Sequence, residues 1–181
     1  MLVTIDVEFS SVSRKIFEIG ITTINSGEVL FNSRIQHDCS DEVLISPRGS
    51  TLSLSQKQKF LGFATLESVY GNDRSKCTGL QNVHQVAAKL QEAGLTAETT
   101  ILSWHQSYTD LVLLREFLQS GGYDDVLPPN ERCVRMIPQY RHHLPRSSTG
   151  KRFSARLDVL FPILFAGYEL VGRNHHALQD A

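Results

Sequence analysis

Thr4-Ile5-Asp6-Val7-Glu8-Phe9-Ser10 stands almost at the start of the chain and sets two carboxylates two residues apart in an otherwise apolar run. Strand side chains alternate between faces, so Val3, Ile5, Val7 and Phe9 share one side while Thr4, Asp6 and Glu8 share the other. A half-buried strand with one apolar and one polar face reads in this way. The same pattern places two carboxylates side by side, as a metal site needs, provided that further ligands arrive from elsewhere in the chain.

Two further strands follow. The run from Arg14 to Ile24 (RKIFEIGITTI) and the run from Glu28 to Gln36 (EVLFNSRIQ) are separated by Asn25-Ser26-Gly27, a hairpin turn signal, and the three strands read as an antiparallel meander. Between Asp38 and about Lys76 the periodicity fades into a polar, serine-rich stretch, which reads as a long loop with short helical pieces. Order returns where Val83, Val86, Ala87 and Leu90 recur at amphipathic-helix spacing, with Gly94 suited to the end. Thr99–Trp104 reads as a fourth strand. Leu111, Leu114, Phe117 and Leu118 then form the stripe of a second helix, stopped by Gly121-Gly122. Arg132–Ile137 reads as a fifth strand, Ala155–Phe165 as helical, and His175–Ala181 as the opening of a last helix. Residues 1–181 therefore make one α/β domain. Its expected core is a mixed five-stranded sheet, antiparallel over the first three strands and parallel thereafter, with helices packed on it. The crossover rule sets the fourth strand parallel to one already in the sheet, the first being the natural choice.

With 181 residues, 41% of them hydrophobic, the chain is long enough to bury a core, and a formal net charge of -1 excludes polyanion binding through overall charge. Nucleic-acid contact would need a local patch. Cys39, Cys77 and Cys133 are odd in number and widely spaced, which argues against a disulfide framework or a zinc site and for a reducing compartment. Asp6 and Glu8 interrupt the first apolar residues, unlike a secretory signal. The apolar run from Leu157 to Gly172 contains Asp158, Pro162, Gly167 and Glu169, too short and too polar for a membrane span. A soluble protein of the cytoplasm or nucleus, without a membrane partner, is expected.

Two more carboxylates occupy suggestive places. Asp110 lies early in a helix that directly follows a strand, where α/β folds collect sites, although an acidic residue is also ordinary near a helix N-terminus. Asp180 lies five residues after His175 and four after His176, with Ala177 and Ala181 small enough to let that helix pack closely on a sheet. These segments resemble the motifs of the DEDDh group of 3′–5′ exonucleases, which have the ribonuclease-H-like fold. Asp6-Val7-Glu8 matches the first motif, His105 and Asp110 in HQSYTD match the second, and His175, Ala177, Asp180 and Ala181 in HHALQDA match the third. Gln106 and Thr109 stand where the family has Asn and an aromatic residue. The chain stops one residue after Asp180, where the family's final helix continues, so a fragment or a shortened form is expected.

The resemblance implies a metal centre built from Asp6, Glu8, Asp110 and Asp180. Four gathered carboxylates would repel one another without cations, and an all-oxygen anionic set suits two Mg²⁺ or Mn²⁺ ions rather than Zn²⁺. By the same resemblance Asp6 bridges both ions, Glu8 and Asp180 hold the ion that activates water, and Asp110 supports the second, directly or through water. A histidine takes the proton of the attacking water. Helical spacing alone puts His176 on the face of Asp180, whereas the family motif selects His175.

A basic stretch containing Arg132, Arg135, Arg141, Arg146, Lys151, Arg152 and Arg156 carries Tyr140, His142 and His143 among its charges. It reads equally as a phosphate-holding patch or as a solvated loop. Trp104, His105, Tyr108 and Arg152 are the candidate substrate contacts, Trp104 being equally suited to the core. The expected partner is a single-stranded RNA or DNA 3′ end, RNA slightly favoured. The competing expectation is a catalytically inactive exonuclease-like adaptor that binds nucleic acid or a protein.

Overall fold

The computed structural model describes residues 1–47, 54–104, 107–144, 146–152 and 154–164, together with Gly167. Three strands open the chain, β1 (Leu2–Phe9), β2 (Ile16–Thr23) and β3 (Val29–Arg34). They form the expected antiparallel meander, and β4 (Thr100–Ser103) and β5 (Cys133–Arg135) extend it in parallel to give the order β3-β2-β1-β4-β5. The alternation read from β1 holds, for Val3, Ile5 and Val7 are buried while Asp6 and Glu8 are only half-buried.

The apolar face of this sheet carries the main core. Helices α3 (Val83–Glu92) and α4 (Thr109–Gln119) lay Val86, Ala87, Leu90, Leu111, Leu114 and Leu118 against Val3, Ile5, Val7, Ile19, Ile21 and Ile101. Of the expected stripes, Val86, Ala87, Leu90, Leu111, Leu114 and Leu118 are buried, Val83 and Phe117 are partly buried against the same core, and Leu113 is added to that of α4. Asn82 caps α3, its side chain accepting from the backbone N–H groups of His84 and Gln85. Gly94 and Gly122, at φ +79° and +85°, take the left-handed conformation that ends a helix without Cβ strain.

Two expectations need correction. The stretch from Asp38 to Lys76 holds α1 (Asp41–Ile45) and a fifteen-residue helix, α2 (Gln56–Tyr70), rather than a loop with short helical pieces. A capping box starts α2, with Ser55 Oγ accepting from the Gln58 N–H and Gln58 Oε1 accepting from the Ser55 N–H. Its apolar residues form no continuous buried stripe. Leu66, Val69 and Tyr70 are buried at one end while Phe60, Leu61 and Phe63 are exposed at the other. The expected strand Arg132–Ile137 is shortened to β5, and Met136 and Ile137 begin α5 (Met136–Tyr140). Pro138 sits in the first turn of α5, where a missing N–H breaks no helical bond. The helix expected over Ala155–Phe165 is α6 (Leu157–Leu164), and the one expected over His175–Ala181 lies outside the described residues.

A β-bulge sets the second, smaller core. Phe9 pairs with Ile16 and Glu8 with Glu18, leaving Phe17 as the extra residue of β2. Phe17 thereby joins Leu44, Ile45, Leu66, Val69 and Tyr70, a cluster made with α1 and α2. The Tyr70 hydroxyl donates to the carbonyls of Ile35 (2.7 Å) and Phe17 (3.0 Å), tying α2 to the end of β3 and to the bulge. Burial raises the pKa of this phenol well above its ordinary value. His37 turns a ring nitrogen to the Ile16 carbonyl at 2.6 Å, and its ring stands perpendicular to that of Phe17.

Replacing Tyr70 by Phe removes the donor and leaves the Ile35 carbonyl short of a partner, so the unfolding free energy in urea should fall by about 1–2 kcal/mol. No loss would mean that the hydroxyl does not bind α2 to the sheet. His37 gives a pH signature. Burial lowers its pKa, the nearby Lys15 and Arg74 charges act the same way, and its bond to Ile16 and the Asp38 charge oppose them. The folded chain thus binds fewer protons here than the unfolded one. This contribution to stability is present above the unfolded value, about 6.5, and is lost as pH falls below it. The stability difference between wild type and His37→Gln should shrink between about pH 7.5 and pH 5, and a difference that grows on acidification would contradict the assignment.

Candidate active site

Asp6 and Glu8 lie on β1 where one of its neighbours ends. The β1–β4 ladder stops at Thr4 and Leu102, whereas the β1–β2 ladder continues through Asp6 with Gly20 and Glu8 with Glu18. Both carboxylates therefore sit past the last β1–β4 pair, at the carboxyl edge of the parallel strands, where α/β sheets collect ligand sites. Gly20 brings no side chain to the place opposite Asp6. Glu18, only 5% exposed, sets a third carboxylate on the same face, and Arg34, its partner on β3, brings a positive charge to that row.

Asp110 comes from the chain that leaves β4. It occupies the first turn of α4, is 6% exposed, and accepts a hydrogen bond from Ser103 Oγ at 3.3 Å. Ser103 shares the apolar face of β4 with Ile101, so the bond fastens the start of α4 to the end of the strand before it. The Cys133 thiol on β5 is raised in pKa first by burial and then by the Asp110 charge, with Arg135 and Arg115 opposing. A buried thiol held protonated is inert as a nucleophile.

Asp6 and Glu8 are thus on β1, and Asp110 is on the helix that follows β4, the parallel neighbour of β1. His105, His175 and Asp180, the remaining expected members, lie outside the described residues. Among the described residues no group of three or more His, Cys, Asp or Glu side chains is gathered tightly enough to hold a metal ion. The donor chemistry nevertheless fits a hard divalent cation, because the side chains on offer are carboxylates. Glu8 directly faces Glu18 across an antiparallel pair.

Of the candidate substrate contacts, Trp104 follows β4 directly. Its indole N–H donates to the Ala155 carbonyl at 2.8 Å, and its ring lies 6.3 Å from that of Tyr140, tilted by 36°. Tyr140 in turn meets His143 edge to face at 6.4 Å. Arg152 is exposed on a hairpin in which it bridges to Arg146, and Arg141, His142, His143 and Lys151 are exposed beside it in sequence. Two cations of the basic stretch are engaged elsewhere: Arg132 pairs with Glu98, and the Arg135 guanidinium lies 4.6 Å from the centre of the Tyr108 ring. Tyr108 is also partly buried against the main core.

Ser103 and Glu18 were not singled out by sequence reasoning. A polar residue at a core-facing position of β4 and a carboxylate inside the apolar run FEIGI were the available signals. No protein-family model and no curated protein matches the chain. No helix among the described residues is long and apolar enough to cross a membrane.

Ser103→Ala removes one of the bonds that Asp110 receives and should lower stability by about 1 kcal/mol, read from urea unfolding. The same variant in an Asp110→Asn background should show a smaller loss, and equal losses in both backgrounds would separate Ser103 from the carboxylate.

Proposed function

We propose that the chain is a divalent-metal-dependent 3′–5′ exonuclease of the DEDDh type with a ribonuclease-H-like fold, acting on single-stranded nucleic acid, RNA slightly favoured. One observation carries this reading. Asp6 and Glu8 share a face of the central strand just beyond its last pair with β4, and Asp110 opens the helix that leaves β4. A sheet of three antiparallel strands extended by two parallel ones supports it as well.

In this reading Asp6, Glu8, Asp110 and Asp180 hold two Mg²⁺ or Mn²⁺ ions. Such ions supply the charge that activates a water and stabilises the leaving oxygen of an in-line displacement at phosphorus. Asp6 and Glu8 are fixed on a strand paired with β2 from Val3 through Glu8 in one register, so their spacing is set before any ligand arrives. Ser103 orients Asp110. His175 takes the proton from the attacking water, a task suited to a side chain that titrates near neutral pH. Trp104 and Tyr140 offer aromatic faces for the terminal bases, while Arg141, Lys151 and Arg152 bring positive charge to the backbone phosphates. Stacking and phosphate contacts read no base edges, so little sequence preference is expected.

The test is digestion of a 5′-labelled single-stranded RNA and a matched DNA with Mn²⁺, Mg²⁺ or EDTA. Wild type should produce a ladder shortening from the 3′ end, and EDTA or Asp6→Asn should abolish it. Loss of an essential metal ligand lowers the rate by about 10³-fold or more. A well-folded wild type that cleaves neither strand would replace the enzyme by the adaptor.

A further inference from the structure

We propose that the exposed apolar stripe of α2 is a self-association surface, through which two copies of this chain pair about a two-fold axis near Phe63. Phe60 is 72% exposed, Leu61 and Phe63 on the same helix are exposed, and so is Val43 on α1. Grouped exposed apolar side chains of this kind mark interaction sites on soluble proteins. Phe60, Phe63 and Glu67 recur at helical spacing along one flank of α2, which adjoins the buried Leu66 and Tyr70 toward its C-terminal end.

The features needed on both sides of a symmetric contact are present on this one helix. Phe60 is the projecting side chain. Two turns further on, a groove opens between α2 and the segments next to it, lined by Asp41, Phe63, Leu66, Glu67, Tyr70 and Arg74. The groove sets the apolar Phe63, Leu66 and Tyr70 among polar side chains, of which Arg74 and Asp41 form an ion pair at 2.9 Å. In an antiparallel pairing about Phe63, the Phe60 of each copy falls over the groove of the other. The contact is then isologous and closes at two copies.

Charge selects the same arrangement. Lys57 and Lys59 are exposed at the start of α2, while Glu67 is exposed at the far end and Asp41 lies on the groove wall. A parallel pairing would set lysine against lysine. The antiparallel one sets Lys59 beside Glu67 twice over. The aromatic anchor in a groove supplies affinity, and the charges supply direction. This inference does not depend on the exonuclease reading.

Sedimentation velocity over a concentration series tests it, with wild type, Phe60→Ser, Lys59→Glu, Glu67→Lys and the Lys59→Glu/Glu67→Lys double variant. Wild type should dimerise. Phe60→Ser should weaken self-association by about 100-fold or more, because the symmetric contact loses two anchors. Each single charge reversal should weaken it, and the double variant should recover it, while Phe60 stays in place and circular dichroism reports the fold. A wild type that remains monomeric at every concentration overturns the proposal and leaves the stripe to a different protein. A dimer indifferent to Phe60→Ser and to the charge reversals overturns it too.

Discussion

The extra residue in β2 organises both faces of the sheet. Ile16 faces Phe9 and Glu18 faces Glu8, so Phe17 has no opposite number on β1. Without the bulge, the alternation that buries Ile16 would turn Ile19 and Ile21 away from the main core. With it, all three isoleucines stay buried on the face that α3 and α4 cover, and Phe17 is delivered to the other core. The second core exists because of that delivery. Tyr70 bonds to the Phe17 carbonyl, His37 to the Ile16 carbonyl, and Arg74 donates to the His37 carbonyl at 3.0 Å while pairing with Asp41. One inserted residue thus anchors α1, α2 and the segment after them.

The bulge was present in the sequence, although alternation by itself does not reveal it. Ile16, Ile19 and Ile21 are spaced by three and then two residues, a break in the period of two that a single extra residue repairs. The rest of the meander, α3, α4 and β4 follow local rules closely enough to be read directly, since each presents one apolar face to one core. Helix α2 does not. Its buried side chains cluster at the C-terminal end and its exposed ones are phenylalanine and leucine, so no amphipathic stripe runs along it, and the capping box at Ser55 was the one local sign of a helix. At β5 the pairing partner, not propensity, sets the length. Only Cys133 to Arg135 meet β4, and Met136 and Ile137 go on into α5.

For the candidate site, Asp6 and Glu8 were legible because strand periodicity is local, and Asp110 because its position just after a strand is local too. What surrounds them was not. Whether Glu18 opposes Glu8 depends on the register of two strands and on the bulge between them. Whether Ser103 reaches Asp110 depends on how α4 leaves β4. That Arg135 covers Tyr108 depends on the parallel pairing of β5. Each is a tertiary fact that no window of sequence contains.

The register on the polar face is inherited rather than chosen. Burial of Val3, Ile5 and Val7 against Ile19 and Ile21 leaves one pairing of β1 with β2, and that pairing sets Glu8 opposite Glu18, with Arg34 next in the row. Three carboxylates and one guanidinium on adjoining strands make a face on which acidic side chains outnumber basic ones. In the exonuclease reading this excess is where the cations bind, and its geometry is as rigid as the apolar packing beneath it. Core substitutions that shift β1 against β2 should therefore disturb Asp6 and Glu8 together. Changes to α2, on the far side of the Phe17 cluster, should reach them only through the bulge.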